Sequence, residues 1–322
     1  MASQPPVRIG ARGSKLSLAQ SRQMQLRIAA ALGAGPEDAE DAAPLVVITT
    51  SGDRIQDRRL LEAGGKGLFV KELEEALLDG RIDCAVHSLK DVPAAQPDGL
   101  VLAAIPERED PRDAFVSGLC GRLQDLPEGA RLGTASLRRQ AQALAVRPDL
   151  RIEMVRGNVD TRLAKLDRGE VDALLLAMAG LNRLGLHGRA GEPLDPQQAP
   201  PAPGQGALAI QTRADAAAAS WLEALRHAPT ALAVAAERGA LEALEGSCRT
   251  AMGAYASIGP DHLGLTVEAL SPDGRYQVRR EGRLGLAAGL TPGLAGHSEA
   301  YALGLRLGRE IRKEAGDRIE FG

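Results

Sequence analysis

The sequence predicts an α/β protein: two α/β units on mostly parallel sheets, followed by a small α+β domain. Three observations predict this. Strand-like and helix-like stretches alternate over the first two thirds of the 322 residues. That alternation restarts after "PEREDPRDAF" (106–115). The last third replaces it with three strand-like stretches and one long amphipathic helix. A chain of this length usually holds two or three domains of about 100–200 residues each. The boundaries expected are 1–106 with 207–226, then 107–206, then 227–322.

Each element has a local reason. "VRIG" (7–10) reads as a strand, and Ser14 to Leu32 as the helix after it. "LVVIT" (45–49) is a second strand. "LFVKELEEALLDG" puts Phe69, Leu73, Ala76 and Leu77 on one helical face, with Gly80 as the stop. "DCAVHS" (83–88) and "LVLAAIP" (100–106) are strands. In the second unit "RLGT" (131–134), "IEMVR" (152–156) and "VDALLLA" (171–177) each lead into a helix. A proline-rich stretch, "DPQQAPPAPGQGALAI", reads as an extended crossing that ends in a strand. The helix "TALAVAAERGALEAL" follows, then "MGAYASI", "LGLTVEAL" and "YQVRREGRL" as strands, and a helix near "SEAYALGLRLGREIRKEAG".

Composition removes several function classes. Net charge is −3 and aromatic residues are 2% of the chain, which argues against a nucleic-acid binder needing basic and stacking surfaces. The first residues lack the basic and apolar regions of a secretory signal, and no apolar run is long enough to span a bilayer. Cys84, Cys120 and Cys248 are odd in number and far apart, so a reduced cytoplasmic protein without disulfides is expected. The five histidines form no HExxH or Cys/His cluster, so no metal site is expected. Of the 39 Lys and Arg residues only six are lysine, which leaves 33 arginines. Arginine placement is therefore more informative than arginine number.

Four stretches carry candidate chemistry. In "GTASLRRQ" Ser136 is a natural N-cap, which puts Arg138 and Arg139 in the first helical turn. Cations are disfavoured there, and no acid is adjacent, so either an anion docks on the pair or it is merely solvated. "RGNVDTRL" repeats the construction: Arg156 at a strand end, Asn158 as a cap, Arg162 one turn in. Ligands of open α/β sheets bind at such strand ends, and arginine grips carboxylates bidentately. "VHSLKDVP" brings Ser88, Lys90 and Asp91 to another strand end, where a carboxylate can stabilise a developing positive charge or relay a proton. A surface ion pair is the simpler alternative. "GGKGLF" lacks nucleotide-loop spacing. The polar, glycine-flanked stretch 50–65 reads as a mobile lid or an ordinary surface loop. Cys248 follows a helix C-terminus, which does not activate a thiol, so taken alone it reads as a structural loop cysteine.

Together these stretches resemble a known family. "GARGSKLSLAQ", "GGKGLFVKELEEALLDGRIDCAVHSLKDVP", "EREDPRDAF", "GTASLRRQ", "RGNVDTRL", "AGLNRLG", "APGQGALAI" and "EGSC" resemble porphobilinogen deaminase, also called hydroxymethylbilane synthase. They occur in that family's order and cover most of residues 7–255.

The resemblance implies a fold of two periplasmic-binding-protein-like α/β domains plus a small C-terminal α+β domain. It implies a transferase that condenses four porphobilinogen molecules into the linear tetrapyrrole hydroxymethylbilane, releasing ammonia at each step. The chain would grow on a dipyrromethane cofactor held by a thioether to Cys248. Asp91 would be the catalytic aspartate, its carboxylate stabilising the cation left when ammonia departs. Ser88, Lys90, Thr134, Ser136, Arg138, Arg139 and Arg162 would hold the cofactor. Arg12, Ser14, Arg156 and Arg183 would hold substrate carboxylates, with Lys66 and Phe69 from the active-site loop and Gln205 from the crossing segment. A monomer acting on a small molecule, with no nucleic-acid or membrane partner and no metal, is implied as well. Three positions depart from the family pattern: Ala251 for a usual proline, Ala135 for a common serine, and Glu62 for a frequent lysine. The competing reading is a non-catalytic carboxylate-binding or sensing protein on the same scaffold, which needs neither Asp91 nor Cys248.

Overall fold

The structure is a computed structural model, and it describes residues 5–54, 67, 69–244, 250–286 and 294–321. Chain contacts divide it into two compact units. Among the described residues the first comprises 5–54, 67, 69–108 and 207–231; the second comprises 109–206, 232–244, 250–286 and 294–321.

The first unit is one five-stranded sheet with helices. β1 (Ile9–Arg12) leads into α1 (Lys15–Ala31). The short α2 (Ala39–Ala42), β2 (Leu45–Ile48), the short α3 (Ser51–Arg54) and α4 (Lys71–Leu78) follow. β3 (Cys84–Ser88) and β4 (Leu100–Ala104) complete the outward pass. The chain returns later as β9 (Leu208–Arg213). Strand order is β2-β1-β3-β9-β4. β1 pairs in parallel with β2 and β3, while β9 lies antiparallel between β3 and β4. Ile9, Val86, Ile210, Met24 and Ile28 bury one face, and Leu73, Leu77 and Ile82 the other. α4 starts later than its apolar spacing predicts. Gly67 turns the chain at φ +91°, so Phe69 precedes the helix instead of sharing its face.

The second unit contains two sheets. β5 (Asp113–Ser117), β6 (Arg131–Gly133), β7 (Arg151–Glu153) and β8 (Ala173–Ala177) are ordered β5-β8-β6-β7. β8, β6 and β7 are parallel, and β5 is antiparallel to β8. Sequence periodicity did not single out β5. Between the strands run α5 (Leu137–Val146) and α6 (Val159–Asp167), and α7 (Met178–Arg183) follows β8. After α8 (Ala228–Ala243), the strands β10 (Ala251–Ile258), β11 (His262–Leu270) and β12 (Gln277–Gly285) form an antiparallel sheet, backed by α9 (Leu294–Ala315).

The C-terminal sheet and α5 share a core. Leu137 and Ala141 of α5 pack on Ala251 and Leu270. The turn before β12 approaches so closely that a Cβ on Gly274 would stand 2.5 Å from the Ala141 carbonyl oxygen. Ala251, which stands where the family usually has proline, is buried in β10 and paired with Leu270. No helix among the described residues is long and apolar enough to cross a membrane, and no cluster of three potential metal ligands occurs among them.

Candidate active site

In the first unit, the C-terminal ends of the neighbouring strands β1 and β3 carry the candidate residues. Arg12 ends β1, and its guanidinium stacks 4.1 Å from the centroid of the Phe69 ring. Ser14 caps α1 by accepting from the Ser17 N–H at 3.2 Å, and the first turn of this 17-residue helix holds no acid. That end is electropositive and suits a carboxylate. Ser88 ends β3, where its hydroxyl is held by Gln20 of α1 at 2.9 Å. A single 3-10 turn, Leu89–Asp91, then brings Lys90 and Asp91 to the surface, and buried Leu89 and Val92 pin it. The Asp91 carboxylate is exposed and has no hydrogen-bond or ion-pair partner among the described residues.

Behind this turn lies a residue that sequence reading passed over. His87 is buried and bonded to Gln211 at 2.9 Å. Burial drives its pKa down to about 4, against the Gln211 hydrogen bond, and the charge of Arg12 adds to the fall. Gln211 in turn donates to Glu74 and Gln96 at 3.0 Å each, so a neutral imidazole anchors a polar cluster under the strand end.

In the second unit, β8, β6 and β7 are neighbours; arginines follow the C-terminal ends of β6 and β7, and Arg183 closes the helix after β8. After β6, Thr134 is buried with its N–H bonded to the Glu153 carbonyl, and Ser136 caps α5 through the Arg139 N–H at 3.4 Å. Ala135 between them is exposed. Arg138 and Arg139 are not solvated: they are only 5% and 6% exposed. Their counter-acid is Asp113 at the start of β5, 1% exposed, at 2.6 Å from Arg138 and 2.8 Å from Arg139. Burial alone would raise the Asp113 carboxyl; the two guanidiniums overcome that and hold it well below the usual carboxylate range. Gln205 of the crossing segment also donates to Asp113, at 2.8 Å.

The two arginines differ in what remains of their donors. Arg139 spends Nε and Nη2 on Asp113 and Nη1 on the Leu175 carbonyl. Arg138 spends Nη1 on Asp113, Gln142 and the Pro200 carbonyl. Its Nε is buried without a hydrogen-bond partner among the described residues. After β7, Arg162 bonds the Gly157 carbonyl at 2.8 Å, while Nη1 of Arg156 is likewise buried and unpartnered. Asn158 holds the N-cap position of α6, but its side chain makes no capping bond. Arg183 closes α7 and donates to the Gly206 carbonyl at 2.8 Å; burial lowers its pKa to about 10, opposed by Glu109.

Two unsatisfied guanidinium nitrogens along one sheet edge fit a ligand carrying several carboxylates. Cys248, Lys66 and Glu62 lie outside the described residues. Asp113, Gln142 and His87 were not singled out from sequence; Asp113 stood inside "EREDPRDAF" without a visible partner.

The fold is α/β; the second unit carries buried arginines after parallel strands, and the first carries an exposed aspartate, Asp91, without a partner among the described residues. Comparison with known proteins is specific. The family model "Porphobilinogen deaminase, dipyromethane cofactor binding domain" matches residues 7–220, and "Porphobilinogen deaminase, C-terminal domain" matches 231–313. A porphobilinogen deaminase from Caulobacter vibrioides is 67% identical, covering 99% of each chain, and one from Phenylobacterium zucineum is 62% identical over 99% of each. The chain belongs to the porphobilinogen deaminase family. Among solved structures, an ABC-transporter periplasmic substrate-binding protein from Coxiella burnetii is 17% identical with a TM-score of 0.41, covering 72% of this chain and 96% of that one.

Proposed function

We propose that this chain is a transferase that condenses four porphobilinogen molecules into hydroxymethylbilane, with release of ammonia, on a dipyrromethane cofactor tethered through Cys248. Family membership over nearly the whole chain carries this reading. The residues present fit the group. Each pyrrole unit carries two carboxylates, and in the second unit Arg138 Nε and Arg156 Nη1 are buried without a hydrogen-bond partner among the described residues. The bound cofactor supplies the anchored pyrrole onto which units are added.

The chain's own residues do the rest. Asp91 stands on a rigid turn at the end of β3, and its unpaired carboxylate supplies the counter-charge for a cation developing on substrate. Ser88, fixed by Gln20, and Lys90 flank it. Arg12 and the N-terminus of α1 at Ser14 bind carboxylate in the first unit, with Phe69 holding the Arg12 fork in place. In the second unit Arg138, Arg156 and Arg162 bind carboxylate, and Thr134 and Ser136 add hydrogen bonds. Arg139 and Gln205 act through Asp113, while Arg183 steadies the crossing at Gly206. Lys66 is assigned to substrate binding on the family resemblance alone. The three domains take the bounds 1–106 with 207–226, 107–206 and 227–322. The protein works as a cytoplasmic monomer without nucleic-acid, membrane or metal partners.

The test is the denatured intact mass of the purified protein and of Cys248→Ala. Excess mass equal to two condensed porphobilinogen units, absent from the variant, is expected. Unmodified wild-type protein that stays unmodified after incubation with porphobilinogen would refute the reading.

A further inference from the structure

A polar chain runs from the C-terminal sheet to the arginine turn, wholly inside the second unit. Glu268 of β11 is fully buried. Its Oε1 accepts from Gln142 Nε2 at 2.9 Å, and its Oε2 accepts from Gln277 Nε2. Gln142 Nε2 also donates to the Pro200 carbonyl at 2.9 Å. Both amide protons of Gln142 are therefore committed, and its Oε1 is turned toward Arg138 Nη1 at 2.8 Å. That contact, with Asp113 and Pro200, ties down one end of the Arg138 guanidinium and leaves the Nε edge unpartnered. Position 268 pairs across the ladder with Arg279 of β12. Burying a charge is costly, and an apolar residue packs a strand more simply.

We propose that Glu268 is a positioning residue: through Gln142 it orients the Arg138 guanidinium that receives a cofactor carboxylate, and so sets that receptor from the sheet of the domain that carries Cys248. The proposal rests on the reading that Arg138 binds the cofactor. Glu268 touches neither cofactor nor substrate. It fixes which face of the Gln142 amide Arg138 meets. If Gln142 turned over, two donors would oppose each other and the guanidinium would be displaced.

The experiment follows cofactor acquisition. Apo forms of the wild type, Glu268→Leu, Glu268→Gln and Arg138→Gln are incubated with porphobilinogen. The fraction carrying the dipyrromethane mass is read against time, alongside the apo melting midpoint. Glu268→Leu is expected to load about three- to tenfold more slowly, the worth of one net hydrogen bond. Its melting midpoint should fall by at most a few degrees, because loss of a buried carboxylate offsets the donor left unpaired on Gln142. Glu268→Gln retains an acceptor for Gln142 while exposed Gln277 turns over to match, so it should load within about twofold of wild type. Adding Gln142→Leu to Glu268→Leu should slow loading no further, since the two act in series.

Loading of Glu268→Leu at the wild-type rate while Arg138→Gln is slow would overturn the positioning role alone. So would a melting midpoint that falls in step with the loading rate, or Glu268→Gln failing as badly as Glu268→Leu. Normal loading of Arg138→Gln would instead bring down the reading beneath it.

Discussion

Replacing Asp113 with asparagine tests the hub of the second unit. The carboxylate sits between two buried guanidiniums, with N–O distances of 2.6 and 2.8 Å. At an effective dielectric of about 20, two unit charges about 4 Å apart attract by about 4 kcal/mol, and Asp113 has two such partners. Much of that offsets the desolvation of three charged groups. What remains after one partner is removed is set by the charges left behind, typically about 3–5 kcal/mol. The substituted amide would keep an oxygen for Arg139 and Gln205 but turn an NH2 toward Arg138, opposing donor to donor. For a unit of this size the melting midpoint should fall by about 6–20 °C. The pH dependence supplies the sign. Asp113 is depressed in the folded state, so its contribution is complete above the unfolded value near pH 4 and is lost only as pH falls through the lower folded value. Urea unfolding of apo wild type and Asp113→Asn should thus give a constant difference from pH 8 to 5 that narrows only below about pH 4. A difference under about 1 kcal/mol at pH 7, or one already shrinking at pH 6, would refute the argument.

Other perturbations separate binding from scaffold. Asp91→Asn should leave the melting midpoint unchanged, since the carboxylate has no partner among the described residues, while turnover falls about 10²–10³-fold; near-normal turnover would remove Asp91 from the chemistry. Arg156→Leu deletes a buried nitrogen with no partner, so stability should hold or rise while KM for porphobilinogen increases about tenfold or more, as measured by steady-state kinetics. His87 is neutral in the fold down to about pH 4, so the unfolded chain takes up its proton first as pH falls from 6.5. Stability full above pH 6.5 should fall by about 3 kcal/mol on reaching pH 4, a slope that His87→Gln should flatten in urea titrations.

The sequence made the strands and helices legible wherever one period dominated a stretch. β3, β8, α1 and α5 lie where alternation or helical spacing put them. Phe69 shows the limit: its spacing joins it to Leu73 and Leu77, but Gly67 diverts the backbone before the helix can begin. β5 shows another. "DAFVS" is short, follows a proline- and acid-rich stretch, and owes its strand state to pairing with β8, whose residues lie about 60 positions later. The site was legible in the same measure. Strand ends followed by caps and arginines are local features, and the turns at Ser136 and Arg156 stand where they predicted. What joins them is not local. Arg138 meets Asp113 across 25 positions, and Gln142 meets Glu268 across 126. No spacing rule reaches that far, so a pair of arginines without an adjacent acid looked available when one of the two was already committed.

The division of labour between Arg138 and Arg139 follows from helix geometry. Consecutive helical residues point about 100° apart, so two adjacent arginines at one helix start cannot present the same edge to the same acid. Arg139 lies along Asp113 and gives it two nitrogens, with the third on the Leu175 carbonyl. Arg138 reaches Asp113 with Nη1 alone and keeps Nε out of the internal network. One arginine thus neutralises the buried acid, and the acid in turn holds the other in place, its Nε unpartnered among the described residues. A guanidinium fixed in this way gives up little freedom when a carboxylate arrives, whereas a solvated arginine must first be ordered. Arg139→Lys should therefore damage carboxylate binding although Nε and Nη2 of Arg139 are already committed to Asp113. A lysine cannot span Asp113 and Leu175 together, and the Arg138 fork would lose its backing.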